Sequence, residues 1–201
     1  MLPKYIIIFF HPYNTSIKDT KSFLKKQLNN KNNKNIKWIF LKAPRIPMTF
    51  ENNSLHRSWF DYTTNYNGEQ EDKIKINTLI YQRLRIIHFI KNISKKYNCD
   101  YNNILLGGIS QGGCIALDVS CYIKVRCVFT LVSHRLYTSK KRKLKHPWYS
   151  LIANNDTVFL KNWIINDIFF TKKIVEVDDD HDLSNTDTDK FINDIFIEEK
   201  L

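Results

Sequence analysis

The chain has 201 residues, of which 43% are hydrophobic, and its formal net charge is +11. That length supports one complete hydrophobic core and is short for two, so we expect a single domain over residues 1–201. The longest apolar run, residues 5–10, is too short to span a bilayer, and no signal-peptide pattern accompanies it. The four cysteines show neither metal-site nor disulfide spacing. We therefore expect a cytoplasmic protein with reduced thiols.

The positive charge raises nucleic acid or an anionic membrane as a partner. Lysine is scattered along the chain, however, and only Lys140 to Lys143 forms a cluster, with no aromatic residues interleaved. Base stacking has no support without such aromatics, so we predict no nucleic-acid partner. The cluster is interpreted as a solvated loop, and peripheral contact with an anionic membrane is the alternative.

Apolar runs of strand length alternate with helical patterns along the chain. The predicted strands are residues 5–10, 36–41, 103–107, 125–132, 149–153 and 173–177, and the predicted helices are one that begins at Ser16 and four near 72–97, 111–121, 158–170 and 187–199. This alternation predicts an α/β fold, a mostly parallel sheet with helices on both faces. Ligand chemistry then belongs at the carboxyl ends of the strands.

Residues 42–71 show no clear hydrophobic period, although the segment contains Trp59 and Phe60. Irregular segments of this length are usually functional or disordered, and the aromatic content argues against disorder. We expect the segment to fold over the catalytic edge of the sheet. Trp59 and Phe60 are candidates for lining an acyl-chain channel, and core packing is the alternative.

The pentapeptide Gly108-Ile109-Ser110-Gln111-Gly112 lies between a predicted strand and a predicted helix. A serine at such a sharp corner projects its hydroxyl freely, and side chains two positions before and after it would collide. The pattern therefore predicts that Ser110 is a nucleophile. The backbone N–H of Gln111 is then aimed at the oxygen that becomes negative in the transition state.

A serine nucleophile needs an imidazole base and a carboxylate that orients it. His181 and Asp156 each follow a predicted strand end, on the edge where Ser110 lies. The order Ser, Asp, His along the chain is the one expected of an α/β-hydrolase. Alternatives remain for both roles: the other histidines are His11, His56, His88, His134 and His146, and the other nearby carboxylates are Asp178, Asp179 and Asp180.

The second oxyanion donor should come from the loop after the first strand. Pro12 has no N–H, so the N–H of Tyr13 is the candidate, and a turn without a catalytic role is the alternative. Proline also fixes φ, so the turn cannot adopt the conformations that are open to glycine. The Tyr13 N–H must then be oriented toward the oxyanion by a different backbone conformation. A misaimed N–H would make the protein a slow hydrolase.

Several segments in order resemble the acyl-protein thioesterase and carboxylesterase family of α/β-hydrolases. They are His11-Pro12, Ala43-Pro44-Arg45 with Pro47 and Thr49, Ser58-Trp59-Phe60-Asp61, Glu69-Gln70-Glu71-Asp72 and Leu106 to Gly113. The resemblance implies a single-domain α/β-hydrolase fold, here N-terminally shortened, with the triad on Ser110, Asp156 and His181. It also implies hydrolysis of small carboxylic esters, S-acylated proteins or lysophospholipids, without metal or cofactor.

Some positions near the predicted site depart from that family's pattern. Pro12 stands where a His-Gly turn is usual, Lys42 stands where His is usual, and Asp180 replaces the glycine before the histidine. Ala153-Asn154 and Thr157 likewise replace a His-Gly pair and a proline around the acid. These departures motivate a second hypothesis, a hydrolase-fold binding protein with impaired catalysis.

Overall fold

The computed structural model describes residues 2–30, 33–64, 73–137, 142–144, 146–165 and 171–201. Within them the strands are β1 (Tyr5–Phe10), β2 (Ile36–Leu41), β3 (Arg45–Met48), β4 (Ser54–Arg57), β5 (Ile104–Ile109), β6 (Cys127–Leu131), β7 (Trp148–Ala153) and β8 (Lys173–Val177). The α-helices are α1 (Ile17–Phe23), α2 (Lys25–Asn29), α3 (Ile76–Tyr97), α4 (Gln111–Ser120), α5 (Lys161–Ile165) and α6 (Asn185–Glu198). None of these helices is long and apolar enough to cross a bilayer.

Six strands form one sheet in the order β2-β1-β5-β6-β7-β8, and every neighbouring pair is parallel. The chain builds outward from β1 to β2, then returns to the other side of β1 for β5 and continues through β8. The strand order therefore reverses between β1 and β5. In open parallel sheets this reversal leaves a crevice at the carboxyl ends of the two strands.

Both faces of the sheet are buried under helices. Ile6, Ile8 and Phe10 of β1 contribute to one hydrophobic core, which also contains residues of α3 and α4. The intervening Tyr5, Ile7 and Phe9 contribute to a second core with residues of α6. Because successive side chains of a strand point to opposite faces, an unbroken apolar strand such as β1 must be covered on both sides. The predicted layered α/β fold is confirmed.

The segment 42–71 differs from its prediction. It contains the antiparallel hairpin β3–β4, in which Arg45 pairs with Arg57, and a short 3-10 helix at Thr49–Glu51. Both strands have only four residues, half of their side chains are exposed, and β3 contains Pro47, which argues against a strand. Residues 65–71 of this segment and residue 72 after it lie outside the described residues, as do residues 166–170 of a predicted helix and Lys140, Lys141 and Lys145.

A buried ion pair joins α3 to α4. Arg83 donates from Nε to Oδ2 of Asp118 at 2.7 Å and from Nη2 to Oδ1 at 2.8 Å, and the Asp118 side chain is fully buried. Burial raises the pKa of Asp118, while the Arg83 guanidinium acts to lower it. The carboxylate therefore depends on this one bidentate partner for compensation of its lost hydration.

Arg83→Met is expected to lower the free energy of unfolding by about 3–5 kcal/mol, because it leaves the Asp118 carboxylate buried without its partner. Urea denaturation measures the change. The matched control is the double variant Arg83→Met/Asp118→Leu, which removes both charges and should recover much of the loss. A single variant as stable as the wild type would show that α3 does not depend on this pair.

Candidate active site

Ser110 forms the corner between β5 and α4. Its backbone has φ 51° and ψ −125°, a conformation that residues other than glycine rarely adopt. The Ser110 N–H donates to the Leu131 carbonyl at 2.9 Å, and the Ser110 carbonyl accepts from the N–H groups of Gly113 and Cys114 at 2.9 and 3.1 Å. The corner is thus fixed to the neighbouring strand on one side and begins a helix on the other.

Two glycines make this corner possible. A Cβ on Gly108 would lie 2.4 Å from the backbone of Gly112, and a Cβ on Gly112 would lie 2.2 Å from the Phe10 carbonyl oxygen. Both separations are far below van der Waals contact. The crowding inferred from the pentapeptide is therefore present, and it comes from the end of β1 as well as from the turn itself.

His181 and Asp156 lie next to Ser110. His181 Nε2 is 2.9 Å from Ser110 Oγ, and His181 Nδ1 is 2.8 Å from Asp156 Oδ2. Asp156 is buried, and its other oxygen, Oδ1, accepts from the N–H groups of Val158 and Phe159 at 2.8 Å each. The structure therefore brings the three predicted side chains into one hydrogen-bonded chain with the carboxylate oriented by backbone donors.

The alternative residues are placed elsewhere. Asp179 and Asp180 accept from backbone N–H groups of the turn that follows β8, and Asp178 accepts from the side chain of Asn155. Among the described residues, His181 is the only histidine that hydrogen-bonds Ser110. His56 pairs with Glu51, His146 contacts the Ser120 carbonyl, and His88 is exposed on α3.

The two predicted oxyanion donors are residues next to Ser110 in the chain and in the cleft. Gln111 is the first residue of α4, so its N–H has no acceptor within the helix. Tyr13 lines the same cleft as Ser110 and His181. The Tyr13 hydroxyl donates to Glu51 Oε1 at 2.8 Å, and burial together with this bond raises the pKa of Tyr13.

Trp59 and Phe60 are not at the cleft. Both are fully buried and belong to the hydrophobic core, so the structure agrees with the core-packing alternative and not with an acyl-channel role. The Trp59 ring packs edge-on against Phe10, with centroids 5.2 Å apart. Hydrophobicity alone does not distinguish a core aromatic from one that lines a cleft.

Other residues form the walls of the cleft. Its volume is about 390 Å³, and its lining is Pro12, Tyr13, Thr15, Phe50, Tyr62, Ile109, Ser110, Val158, Phe159, His181 and Asp182. A second, mainly apolar cavity of about 230 Å³ continues past His181 toward Phe23 of α1 and Leu183. Phe50, Tyr62 and Phe159 were missed by the sequence analysis, although Phe159 follows Asp156 closely enough to have been a candidate.

Among the described residues, no group of three or more His, Cys, Asp or Glu side chains could hold a metal ion. The groups at the cleft are instead a hydroxyl, an imidazole and a carboxylate in hydrogen-bonded sequence. That set suits proton transfer to and from an attacking oxygen.

Comparison with known proteins identifies the family. The sequence model of the phospholipase/carboxylesterase family matches residues 3–149, which is most of the chain. The chain belongs to this family. The match includes the corner at Ser110 and ends before Asp156 and His181, so the positions of those two side chains come from the structure.

Two curated relatives are fungal. The chain is 33% identical over 86 residues to acyl-protein thioesterase 1 of Schizosaccharomyces pombe, and 30% identical over 83 residues to acyl-protein thioesterase 1 of Candida albicans. The matched segments cover 43% and 41% of this chain, but only 37% and 35% of the relatives. The chain thus spans little more than a third of the length of these relatives.

Solved structures match over nearly the whole chain. A variant of Arabidopsis thaliana SOBER1 superimposes with a TM-score of 0.81 at 18% identity, over 98% of this chain and 100% of that one. Zea mays acyl-protein thioesterase 2 gives 0.76 at 14% identity, over 99% and 95%. The Bacillus cereus carboxylesterase gives 0.75 at 12% identity, over 98% and 89%. At these identities the likeness shows the α/β-hydrolase fold of this family member.

Proposed function

We propose that this chain is a serine hydrolase that cleaves carboxylic esters or thioesters through an acyl-enzyme at Ser110. The observation that carries the proposal is the hydrogen-bonded chain from Ser110 Oγ through His181 to Asp156, with distances of 2.9 and 2.8 Å. Family membership supports the same class of reaction. The strained corner at Ser110 supports it as well, because strain of this kind collects at functional sites.

In the proposed reaction His181 Nε2 takes the hydroxyl proton as Ser110 Oγ attacks the carbonyl carbon. The carbonyl π electrons move to the oxygen, which the N–H groups of Gln111 and Tyr13 stabilise. When the intermediate collapses, the bond to the leaving alcohol or thiol breaks and that group receives the proton from His181. Water then attacks the acyl-Ser110 ester by the same steps, which releases the acid and restores the hydroxyl. Asp156 stays ionised and holds His181 Nδ1–H.

The proposed acyl group is apolar. Phe50, Tyr62, Val158 and Phe159 line the cleft that contains Ser110. Each buried methylene of a substrate chain contributes up to about 0.8 kcal/mol of binding in such surroundings. Small carboxylic esters are the first substrates to test, and the names of the fungal relatives make acyl-cysteine thioesters of proteins the second.

Lysophospholipids are a third proposed class, because they also present an apolar acyl chain joined through an ester. The proposed location is the cytoplasm, where the four cysteines would stay reduced. All four are free thiols in buried positions, and burial raises the pKa of each of them. Raised pKa values make these thiols poor nucleophiles, so they do not compete with Ser110 for the proposed role.

The proposal predicts that a fluorophosphonate probe labels the wild-type chain at Ser110, because only an activated serine reacts readily with it. Mass spectrometry of the digested adduct locates the phosphonylated residue. Heat-unfolded chain is the control, since it keeps every serine and loses the geometry. If the folded chain stays unlabelled while a commercial serine esterase reacts under the same conditions, the proposed activity fails. The hypothesis of a hydrolase-fold binding protein then takes its place.

A further inference from the structure

A chain of buried hydrogen bonds runs from the serine corner to the loop after β1. The side chain of Gln111 accepts at Oε1 from the Trp59 backbone N–H at 2.9 Å. The Trp59 indole N–H in turn donates to the His11 carbonyl at 2.8 Å. Gln111 and Trp59 are fully buried and His11 is 1% exposed. The residue after the nucleophile is therefore tied to the loop that carries the second proposed oxyanion donor.

The geometry also fixes the tautomer of His11. Its Nε2 lies 3.0 Å from the backbone nitrogen of Ala43, which can only donate, so Nε2 accepts and carries no proton. The proton of the neutral ring is then on Nδ1, which donates to the Pro12 carbonyl at 2.7 Å. Burial lowers the pKa of His11, which keeps the ring neutral.

The Pro12 carbonyl receives a second hydrogen bond. Thr15 Oγ1 donates to it at 3.0 Å, so the oxygen is held by two side chains from opposite ends of the loop. The proline ring fixes φ of Pro12, and the rotation that remains is ψ, which turns the peptide between Pro12 and Tyr13. Two hydrogen bonds to the carbonyl oxygen of that peptide remove this freedom.

Fixing this carbonyl also fixes the Tyr13 N–H. A trans peptide is planar, and its N–H points away from its carbonyl oxygen. No cis peptide occurs in the described chain, and Tyr13 lines the cleft beside Ser110. We propose that His11, Thr15 and Trp59 are positioning residues that aim the Tyr13 N–H at the oxyanion and hold it in register with the Gln111 N–H. This inference rests on the proposed function.

We call three hydrogen bonds the clamp: those that the His11 and Thr15 side chains donate to the Pro12 carbonyl, and the one that the Trp59 indole donates to the His11 carbonyl. Two variants test the clamp. Thr15→Val removes one donor to the Pro12 carbonyl with little change of shape, and Trp59→Phe removes the indole N–H. Each should lower kcat for p-nitrophenyl butyrate by about tenfold or more, up to the ~100-fold that loss of a whole donor costs. KM should change by less than about twofold, because the hole acts on the intermediate and not on the bound ester.

A trifluoromethyl ketone supplies the second measurement. Ser110 adds to its carbonyl carbon and gives a hemiketal oxyanion that needs both N–H donors. The inhibition constant should therefore rise in parallel with the fall in kcat, whereas inhibition by the analogue with CH₂ in place of the ketone carbonyl, which forms no oxyanion, should not change. A variant that was only less stable would lower the amount of folded protein and leave the inhibition constant unaltered.

Trp148→Phe is the matched control. Trp148 is also a fully buried tryptophan whose indole N–H donates to a buried acceptor, Thr130 Oγ1, at 2.9 Å. It is the first residue of β7 and so lies at the sheet end opposite the cleft. Trp148→Phe should lower the free energy of unfolding and leave kcat and the ketone inhibition constant at wild-type values.

The possible outcomes distinguish failure of the clamp from failure of the proposed function. If the wild-type chain hydrolyses the ester while Thr15→Val keeps its kcat and its ketone inhibition constant, the clamp is overturned alone. The same holds if kcat falls and the ketone still binds as in the wild type. If the wild type neither hydrolyses the ester nor reacts with the fluorophosphonate, both proposals fall. Should Trp59→Phe not fold, Thr15→Val decides, because Thr15 is only partly buried in the loop.

Discussion

Ser110→Ala is expected to reduce ester hydrolysis to background, because it removes the oxygen that forms the acyl-enzyme. Loss of a triad member costs on the order of 10⁶-fold in kcat in the serine hydrolases where it has been measured. The p-nitrophenyl ester assay should show no burst and no turnover above buffer, and fluorophosphonate labelling should disappear with it. The fold should persist, since alanine keeps the Cβ and the variant loses only the hydroxyl contact with His181.

The matched control for this variant is Ser120→Ala. Ser120 is a buried serine at the last residue of α4, and its hydroxyl donates to the Leu117 carbonyl at 2.7 Å. Removing that hydroxyl should leave hydrolysis close to the wild-type level. Thermal unfolding of both variants shows whether either has lost its structure. If Ser110→Ala hydrolysed the ester at the wild-type rate, Ser110 would not be the nucleophile.

Most strands of the sheet could be predicted from the sequence, because the central strands are unbroken apolar runs. The bounds of β1, β2 and β8 agree with the prediction. β5 was predicted to stop at residue 107 and continues to Ile109, because Gly107 and Gly108 have no side chains to extend the apolar run. The hairpin β3–β4 was missed because its strands have only four residues each and β3 contains Pro47, which argues against a strand.

The candidate site was predicted from the positions of its residues just after the ends of strands. Ser110, Asp156 and His181 follow β5, β7 and β8, and the carboxyl ends of parallel strands meet at one edge of the sheet. The walls of the cleft were less predictable. Aromatic residues of one segment divide between the core and the cleft, as Trp59 and Phe50 do, and only the folded backbone determines which goes where.

The contacts that hold the turn at Pro12 could not be predicted from the sequence. The missing N–H and the restricted φ of proline suggested a misaimed oxyanion hole and a slow enzyme. In the structure the Pro12 carbonyl is held by His11 and Thr15, and His11 is held by Trp59, so slow hydrolysis does not follow from the proline alone. The Trp59 contact joins residues that are 48 positions apart in the chain, so no local pattern predicts it.

His181→Ala is expected to be nearly as damaging as Ser110→Ala. Without the imidazole, no other side chain of the described residues is hydrogen-bonded to Ser110 Oγ to take its proton. The assay is again hydrolysis of the p-nitrophenyl ester, and the fold should persist because the His181 side chain is partly exposed. His88→Ala is the control, because His88 is exposed on α3 and has no hydrogen bond to Ser110 among the described residues. Equal loss in both variants would contradict the assignment of the base.

Asp156→Asn should lower kcat by about 10⁴-fold, less than the loss of the base, because the carboxylate orients the imidazole and transfers no proton. The Val158 and Phe159 N–H groups would hold the amide oxygen of the new asparagine, which turns its NH₂ group toward His181 Nδ1. Nδ1 must then accept, so the ring proton moves to Nε2, where it faces Ser110 and blocks proton abstraction. Asp180→Asn is the control, since Asp180 is exposed and accepts from the backbone N–H of Asp182. If Asp156→Asn kept its activity and Asp180→Asn lost it, the acid of the triad would be Asp180.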